Sequence, residues 1–299
     1  GIEATAMFGR GTWNDDHLML ERHGVAVEVV NIVNDKMLSR ALSRGVDVVL
    51  MHKSEEFPLM EKVRGLDMAE VAVPDRTAYE VFQDKITFTR WMTQIGLERH
   101  VPFVYEDWGS AVPRLPCVIK AASGSFGKGV HVVRSGEEWE RMIGIVQRVG
   151  KDFLVQDAIV SKEEFTHNFA AINGRLLRHQ ECFQVTMTDD VFVKGKNDAG
   201  IRNSSGFVRC QDQPHREQAS EVLHTIVNHS CYHGFGCMQY KISPDDGLIK
   251  VIEVNPRVCG ALNRKTDRFA LLIKAYVAQY LLLASQPPPP PPPRGVFFV

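Results

Sequence analysis

Apolar positions along this chain recur with two different periods, and the switches between them outline its elements. Val25–Ile32 and Val46–Met51 are β-branched runs, while Asp15–His23 and Asp35–Arg44 carry helical spacing with Asp or Asn near their starts. This alternation predicts a small parallel α/β unit over about the first 80 residues. A helix is predicted over Asp84–Gly96, with Ile86, Trp91, Met92 and Ile95 apolar and Gly96 as its stop. Strands follow at Leu115–Ala121 and Gly129–Arg134, then a helix at Glu137–Val149 and a strand at Phe153–Ile159. Asn173-Gly174 between Phe169–Ile172 and Arg175–Arg178 is a hairpin signal. Arg216–Cys231 places Ala219, Val222, Leu223, Ile226 and Val227 on one helical face. Strands at Cys237–Ile242 and Leu248–Val254 flank the turn Pro244-Asp245-Asp246-Gly247, and a last helix covers Asp267–Ala284.

Composition narrows the classes. Apolar content of 44% and charged content of 24% over 299 residues suit a globular protein with a sizeable core. A net charge of −1 argues against nucleic acid as the main partner, since phosphate backbones are met by a basic excess. The longest apolar-rich segment, Phe269 to Ala284, is interrupted by Lys274 and Gln279, so no membrane span is expected. Six scattered cysteines without a C-x-x-C pair suggest reduced thiols in a cytoplasmic compartment. A start at Gly1 suggests a trimmed chain. The run Pro287–Pro293 predicts a polyproline II rod of about 3.1 Å per residue, serving as a linker or as a ligand for a proline-binding module.

Three segments carry candidate chemistry. Ile249–Arg257 ends an apolar strand with Glu253, Asn255 and Arg257 on one face and Pro256 as terminator. Val251, Ile252 and Val254 read as buried, so Glu253 must be paired, bind a metal, or sit solvated at a turn. Carboxylate and amide oxygens beside a cation suit magnesium and a triphosphate. Lys120 precedes the loop Ser123-Gly124-Ser125-Phe126-Gly127-Lys128-Gly129, whose small residues let backbone N–H groups close on anionic oxygens. Gly129 after Lys128 excludes a Walker A loop, and a following strand excludes a dinucleotide fingerprint; a plain flexible turn remains the alternative. Gln156-Asp157-Ala158-Ile159 closes a strand edge able to hydrogen-bond a base, with Glu164 soon after, although that segment taken alone reads rather as a core strand.

The order of these parts, from Asp84-Lys85 to Glu253-Val254-Asn255-Pro256-Arg257, resembles the ATP-grasp superfamily over about Ala78 to Ala284. The closest wording is that of the carbamoyl-phosphate synthase large-subunit ATP-grasp domain. The resemblance implies an α/β (α+β) ATP-grasp fold. A Rossmann-like pre-ATP-grasp unit would cover 1–83 and an ATP-grasp domain 84–285, with a mobile strand-rich lid at about 114–160, a C-terminal sheet with helices, and a Pro-rich tail over 286–299. It implies that Lys85 and Lys120 contact phosphates, that Ser123–Gly129 forms the phosphate lid, that Gln156–Ile159 is the adenine hinge, and that Glu164 binds ribose. Gln239, Glu253 and Asn255 would hold two Mg2+ ions, with Mn2+ an acceptable substitute, and Arg257 would steady the transferred phosphoryl group. Gln239 stands where many relatives carry Asp, and Gln156-Asp157 departs from the usual hinge residues.

The implied activity is an ATP-dependent carboxylate–amine ligase acting through an acyl phosphate, with small-molecule acid and amine substrates and a homodimer as an open option. One ATP-grasp copy disfavours a complete carbamoyl-phosphate synthase. The alternatives are an ATP-binding regulatory or scaffold module and an excised domain of a larger synthetase. Lys194, Lys196 and Arg202 lie in a polar stretch that either closes over substrate or is a solvated loop, and histidines such as His167 and His179 read as packing or surface residues.

Overall fold

The computed structural model of the chain describes residues 6–7, 27–28, 43, 48–51, 56–66, 70–106, 108, 112–122, 129–149, 152–186, 208–210, 215–259, 262 and 266–284. Outside these residues lie the expected helices at Asp15–His23 and Asp35–Arg44 (all but Ser43), the loop at 123–128, the stretch holding Lys194, Lys196 and Arg202, and the proline run.

Near the N-terminus, β1 (Ala6–Met7) pairs in parallel with β2 (Val27–Glu28), and β3 (Val48–Leu50) with β4 (Glu70–Ala72). Between the latter two runs α1 (Phe57–Gly65), whose Phe57, Met60 and Val63 pack on Val49, Met51, Val71 and Val73. Parallel pairing agrees with the strand–helix alternation of this region; α1 itself was not anticipated. Next, α2 (Arg76–Gln83) and α3 (Lys85–Gln94) are each opened by an aspartate. The Asp75 carboxylate accepts from the Ala78 amide and the Asp84 carboxylate from the Thr87 amide, each at 2.7 Å. Such caps stabilise a helix start by about 1 kcal/mol; α3 is the helix expected over Asp84–Gly96, while α2 was not anticipated. Gly96, at φ +79°, stops α3 as expected.

A three-stranded antiparallel sheet follows, in the order β6–β5–β7, built from β5 (Cys117–Ala121), β6 (Val130–Val133) and β7 (Phe153–Asp157). Its helix α4 (Gly136–Val149) sets Trp139 and Val146 against Ile119, Val133 and Val155. The strands and helix lie where the periodicity placed them.

The principal sheet has six strands: β8 (Glu163–Ile172), β9 (Arg175–Leu176), β10 (Glu181–Thr186), β11 (Val208–Arg209), β12 (Gly234–Ile242) and β13 (Ile249–Asn255). Its order is β11–β10–β8–β12–β13, with β9 paired to β8. Asn173 and Gly174, both left-handed, make the predicted two-residue hairpin between β8 and β9. One face buries Phe165, Phe169, Met238, Tyr240, Val251 and Val254 against α2, α3 and α5 (His215–His229). On the other face, Ala170, Ile172, Phe183 and Phe235 lie beneath α6 (Thr266–Ala284). Alternation puts Glu164, Thr166 and Asn168 on that second face, beyond the apolar part that α6 covers. Among the described residues no helix is long and apolar enough to cross a membrane.

His233, Glu70 and Tyr276 tie the N-terminal strands to this sheet. His233 Nε2 meets the Glu70 carboxylate, and the Tyr276 hydroxyl lies 2.8 Å from His233 and 3.2 Å from Glu70. Beside them Gly234 (φ +103°) passes so close to β4 that a Cβ would stand 2.1 Å from the Ala72 carbonyl oxygen. Neither the conformation nor the space admits a side chain. Gly234→Ala should therefore cost roughly 2–4 kcal/mol of stability, read as a lowered urea midpoint; an unchanged midpoint would refute this account of the packing.

Candidate functional site

The polar end of the second face lies opposite the small sheet, and five charged side chains converge there. Lys120 on β5 is 5% exposed and interacts with Glu253 on β13, Glu164 on β8, Lys241 on β12 and Lys85 at the start of α3. The Lys85 position follows from the backbone: its amide donates to the Ala122 carbonyl at 2.9 Å, which ties the α3 N-terminus to the end of β5. The same corner is closed by the Ala121 amide on the Gly129 carbonyl, also at 2.9 Å. Gly129 takes φ +74°, a conformation glycine adopts without penalty, so the chain re-enters β6 beside Ala121. Residues 123–128, the candidate phosphate loop, lie outside the described residues, between these two anchored ends.

Glu253 reaches the site through a register shift. Cys237 pairs with Asn255 and Gln239 with Glu253, but Tyr240 pairs with Val251, so a β-bulge leaves Ile252 as the extra residue. Without it, strict alternation would put Ile249 and Val251 on the face of Glu253. The bulge reverses their side, and both join Val254 in the core under the helices. Ile252 is accordingly half-buried rather than in the core, which corrects the reading of Val251, Ile252 and Val254 as one buried set. Glu253 Oε1 accepts from Asn255 Nδ2 at 2.8 Å, and Asn255 Oδ1 accepts from Arg257 Nη2 at 3.3 Å. The three expected residues thus form one hydrogen-bonded chain past Pro256, with Gln239 directly across from Glu253.

The hinge segment is less open than the sequence suggested. Val104 bridges to Gln156 on the side of β7 away from β5. The Asp157 amide donates to the Phe103 carbonyl at 2.9 Å and the Ala158 amide to the Pro116 carbonyl at 3.2 Å. Gln156 is buried, and the Tyr105 hydroxyl donates to Asp157 Oδ1 at 2.5 Å. Burial, then the Asp157 carboxylate, pushes the Tyr105 hydroxyl up to about 12. The edge of β7 is therefore partly paired within the protein, and the Asp157 and Ala158 amides are already committed.

Burial dominates the electrostatics. It pulls the Lys120 ammonium down to about 8, against the opposing pull of Glu253 and with a further push from Lys85. The Glu164 carboxyl is raised, again by burial first, with Lys241 working to keep it ionised. Lys241 was missed by the sequence reading. Its signal was a lone cation in the strand Cys237-Met238-Gln239-Tyr240-Lys241-Ile242, two residues past Gln239 and hence on the same face. His167 is wholly buried on the helix side, its Nε2 2.6 Å from Gln180 Oε1, which agrees with a packing role.

The expectation of six reduced thiols is corrected at one pair. Cys237 and Cys259 are joined in a disulfide with Cα atoms 6.2 Å apart, while Cys117, Cys182, Cys210 and Cys231 are free. Separated by 22 positions, the pair had no spacing signal; the turn of the chain past Arg257 brings Cys259 back to β12.

A measurable consequence concerns Lys120. In protein labelled with 13C at the lysine ε-carbon, one resonance should titrate near pH 8. Glu253→Gln should lower that midpoint further, because the Glu253 charge holds it up. A Lys120 midpoint at the ordinary value near 10.5 would contradict this placement.

Residues 108–264 match the family model described as carbamoyl-phosphate synthase L chain, ATP binding domain. No curated protein sequence matches the chain significantly. Among solved structures, N5-carboxyaminoimidazole ribonucleotide synthetase from Thermotoga maritima superposes with TM-score 0.59 at 18% identity, covering 92% of this chain and 76% of that one. D-alanine–D-alanine ligase from Bacillus anthracis, complexed with ATP, gives TM-score 0.61 at 14% identity, covering 94% and 98%. The biotin carboxylase domain of 2-oxoglutarate carboxylase from Hydrogenobacter thermophilus, in complex with MgADP, ADP and bicarbonate, gives 0.56 at 15%, covering 87% and 60%. These likenesses establish a shared fold. With the model matched over more than half of its length, this chain belongs to the carbamoyl-phosphate synthase L chain ATP-binding family, a branch of the ATP-grasp superfamily.

Proposed function

We propose that the protein is an ATP-dependent carboxylate–amine ligase. The observation that carries this reading is the convergence of Lys120, Glu164, Gln239, Glu253, Asn255 and Arg257 between two sheets, with Lys85 at the adjoining helix start. In this reading residues 84–285 form the catalytic unit with its lid at about 114–160, and 1–83 precede it. Carbonyls of Gln156–Ile159 and the Ile159 amide read the base, Glu164 takes the ribose, and Lys85, Lys120 and the 123–129 loop cradle the phosphates.

Magnesium is implied by the family, and the donors suit it. Among the described residues no three His, Cys, Asp or Glu side chains come together as a metal-binding cluster, so a carboxylate cage is not what the site offers. Gln239, Glu253 and Asn255 offer hard oxygen donors instead, held in order by the contacts between Glu253, Asn255 and Arg257. With one carboxylate among them, triphosphate oxygens would complete the coordination of two ions. Bound there, magnesium would neutralise charge on the phosphate oxygens.

The chemistry proceeds in two steps. A substrate carboxylate oxygen attacks the γ-phosphorus, the bond to the β–γ bridging oxygen breaks, and ADP leaves. An amine nitrogen then attacks the acyl carbon, inorganic phosphate departs with the electron pair of its C–O bond, and the amine loses a proton. Lys120 and Arg257 stabilise the charge moving among the phosphoryl oxygens, an electrostatic task that requires positioning rather than covalent help. Closure of the lid keeps water from the acyl phosphate.

ADP and phosphate release should require both an acid and an amine, and mass spectrometry of reactions with pooled amino acids and small acids should show the condensed product. ATP binding without stimulation by any such pair would favour the regulatory-module reading. Glu253→Gln should reduce turnover by at least about 100-fold while leaving the far-UV circular dichroism unchanged; retained turnover would remove Glu253 from the metal site.

A further inference from the structure

Lys241 is a charge that neither the family's motifs nor the reaction above requires. The β8–β12 ladder runs from Gly234↔Ala171 to Tyr240↔Phe165, so Lys241 and Glu164 follow directly opposite one another, on the face that looks toward the small sheet. Lys241 is 3% exposed, and its Nζ donates to the Ser161 carbonyl at 2.8 Å. Ser161 lies in the short link between the hinge, ending at Ile159, and Glu164. That link is itself a tight turn, with Ser161 Oγ 3.2 Å from the Glu163 amide and 3.3 Å from the Glu163 carbonyl oxygen. A buried ammonium is tolerated only when it is hydrogen-bonded and near opposite charge; here the link carbonyl accepts the hydrogen bond and the Glu164 carboxylate supplies the opposite charge.

Resting on the ATP reading above, we infer that Lys241 is a positioning residue for the nucleotide: its ammonium ties the Ser161 carbonyl down and holds the Glu164 carboxylate where it accepts the ribose hydroxyls. Lys120 is a second cation that favours the ionised Glu164 carboxylate, while the Glu253 charge opposes it. An apolar residue at 241 would remove the cation beside Glu164 and leave the Ser161 carbonyl without that donor.

The test compares ATP with 2′-deoxy-ATP by calorimetry in the presence of Mg2+. In the wild-type chain the deoxy analogue should bind about tenfold more weakly, as expected for losing a charge-assisted hydrogen bond. In Lys241→Met the affinity for ATP should fall about tenfold while that for 2′-deoxy-ATP barely changes, bringing the ratio of the two close to one. Lys241→Arg, which keeps the charge and the donors, should retain part of the discrimination. A general structural role would weaken both nucleotides alike. Should Lys241→Met fail to fold, the same ratio is read in Lys241→Gln. A folded neutral variant that keeps the wild-type ratio overturns the inference alone. Failure of the wild-type chain to bind either nucleotide overturns the ATP reading and this inference with it.

Discussion

Buried charges of one sign repel, and those without partners cost several kcal/mol each. The site depends on meeting that constraint. Lys120, Glu164, Lys241 and Glu253 come from four different strands, and they can share a low-dielectric space because their signs alternate. Even so, burial prevails over attraction at Lys120, whose ammonium is pulled well below its usual range. A site with strained protonation is one in which an incoming polyanion and its cations would find favourable partners already in place.

The strands can deliver these charges only if each side chain emerges on the correct face. The bulge opposite Gln239 and Tyr240 is what permits this on β13. It lets Ile249, Val251 and Val254 serve the core under α3 and α5 while Glu253 and Asn255 face the other way. The long strand β8 solves the same problem by position. Its even-numbered residues are apolar under α6 and polar where that cover ends. Core and site are thus two ends of one pleated face, and the packing of α6 sets the boundary between them.

The anchoring at the far end serves the same geometry. Gly234 and the His233–Glu70–Tyr276 contacts press β12 against β4, fixing the strand that carries Cys237, Gln239 and Lys241. The backbone bond from Lys85 to Ala122 does the equivalent for the small sheet, making Lys85 and Lys120 neighbours.

Local pattern was enough to locate β5, β6, α4, β7, α5, β12, β13 and α6, because each has an apolar period of its own and a Gly, Pro or Asp at an end. It was also enough to connect Glu253, Asn255 and Arg257, since alternation along one short strand needs no knowledge of neighbours. The polar first half of β8, and β10 and β11, left no such trace: a strand that pairs on both sides and lines a polar site has no apolar alternation to display. Lys241, the paired edge of β7 at Val104, and the joining of Cys237 to Cys259 were likewise beyond local reading. The sequence by itself determined which residues could carry the chemistry and in what order. Only the tertiary structure decided which of them face one another, because register, bulges and long-range contacts are set by the summed packing of many segments and not by the spacing within any one of them.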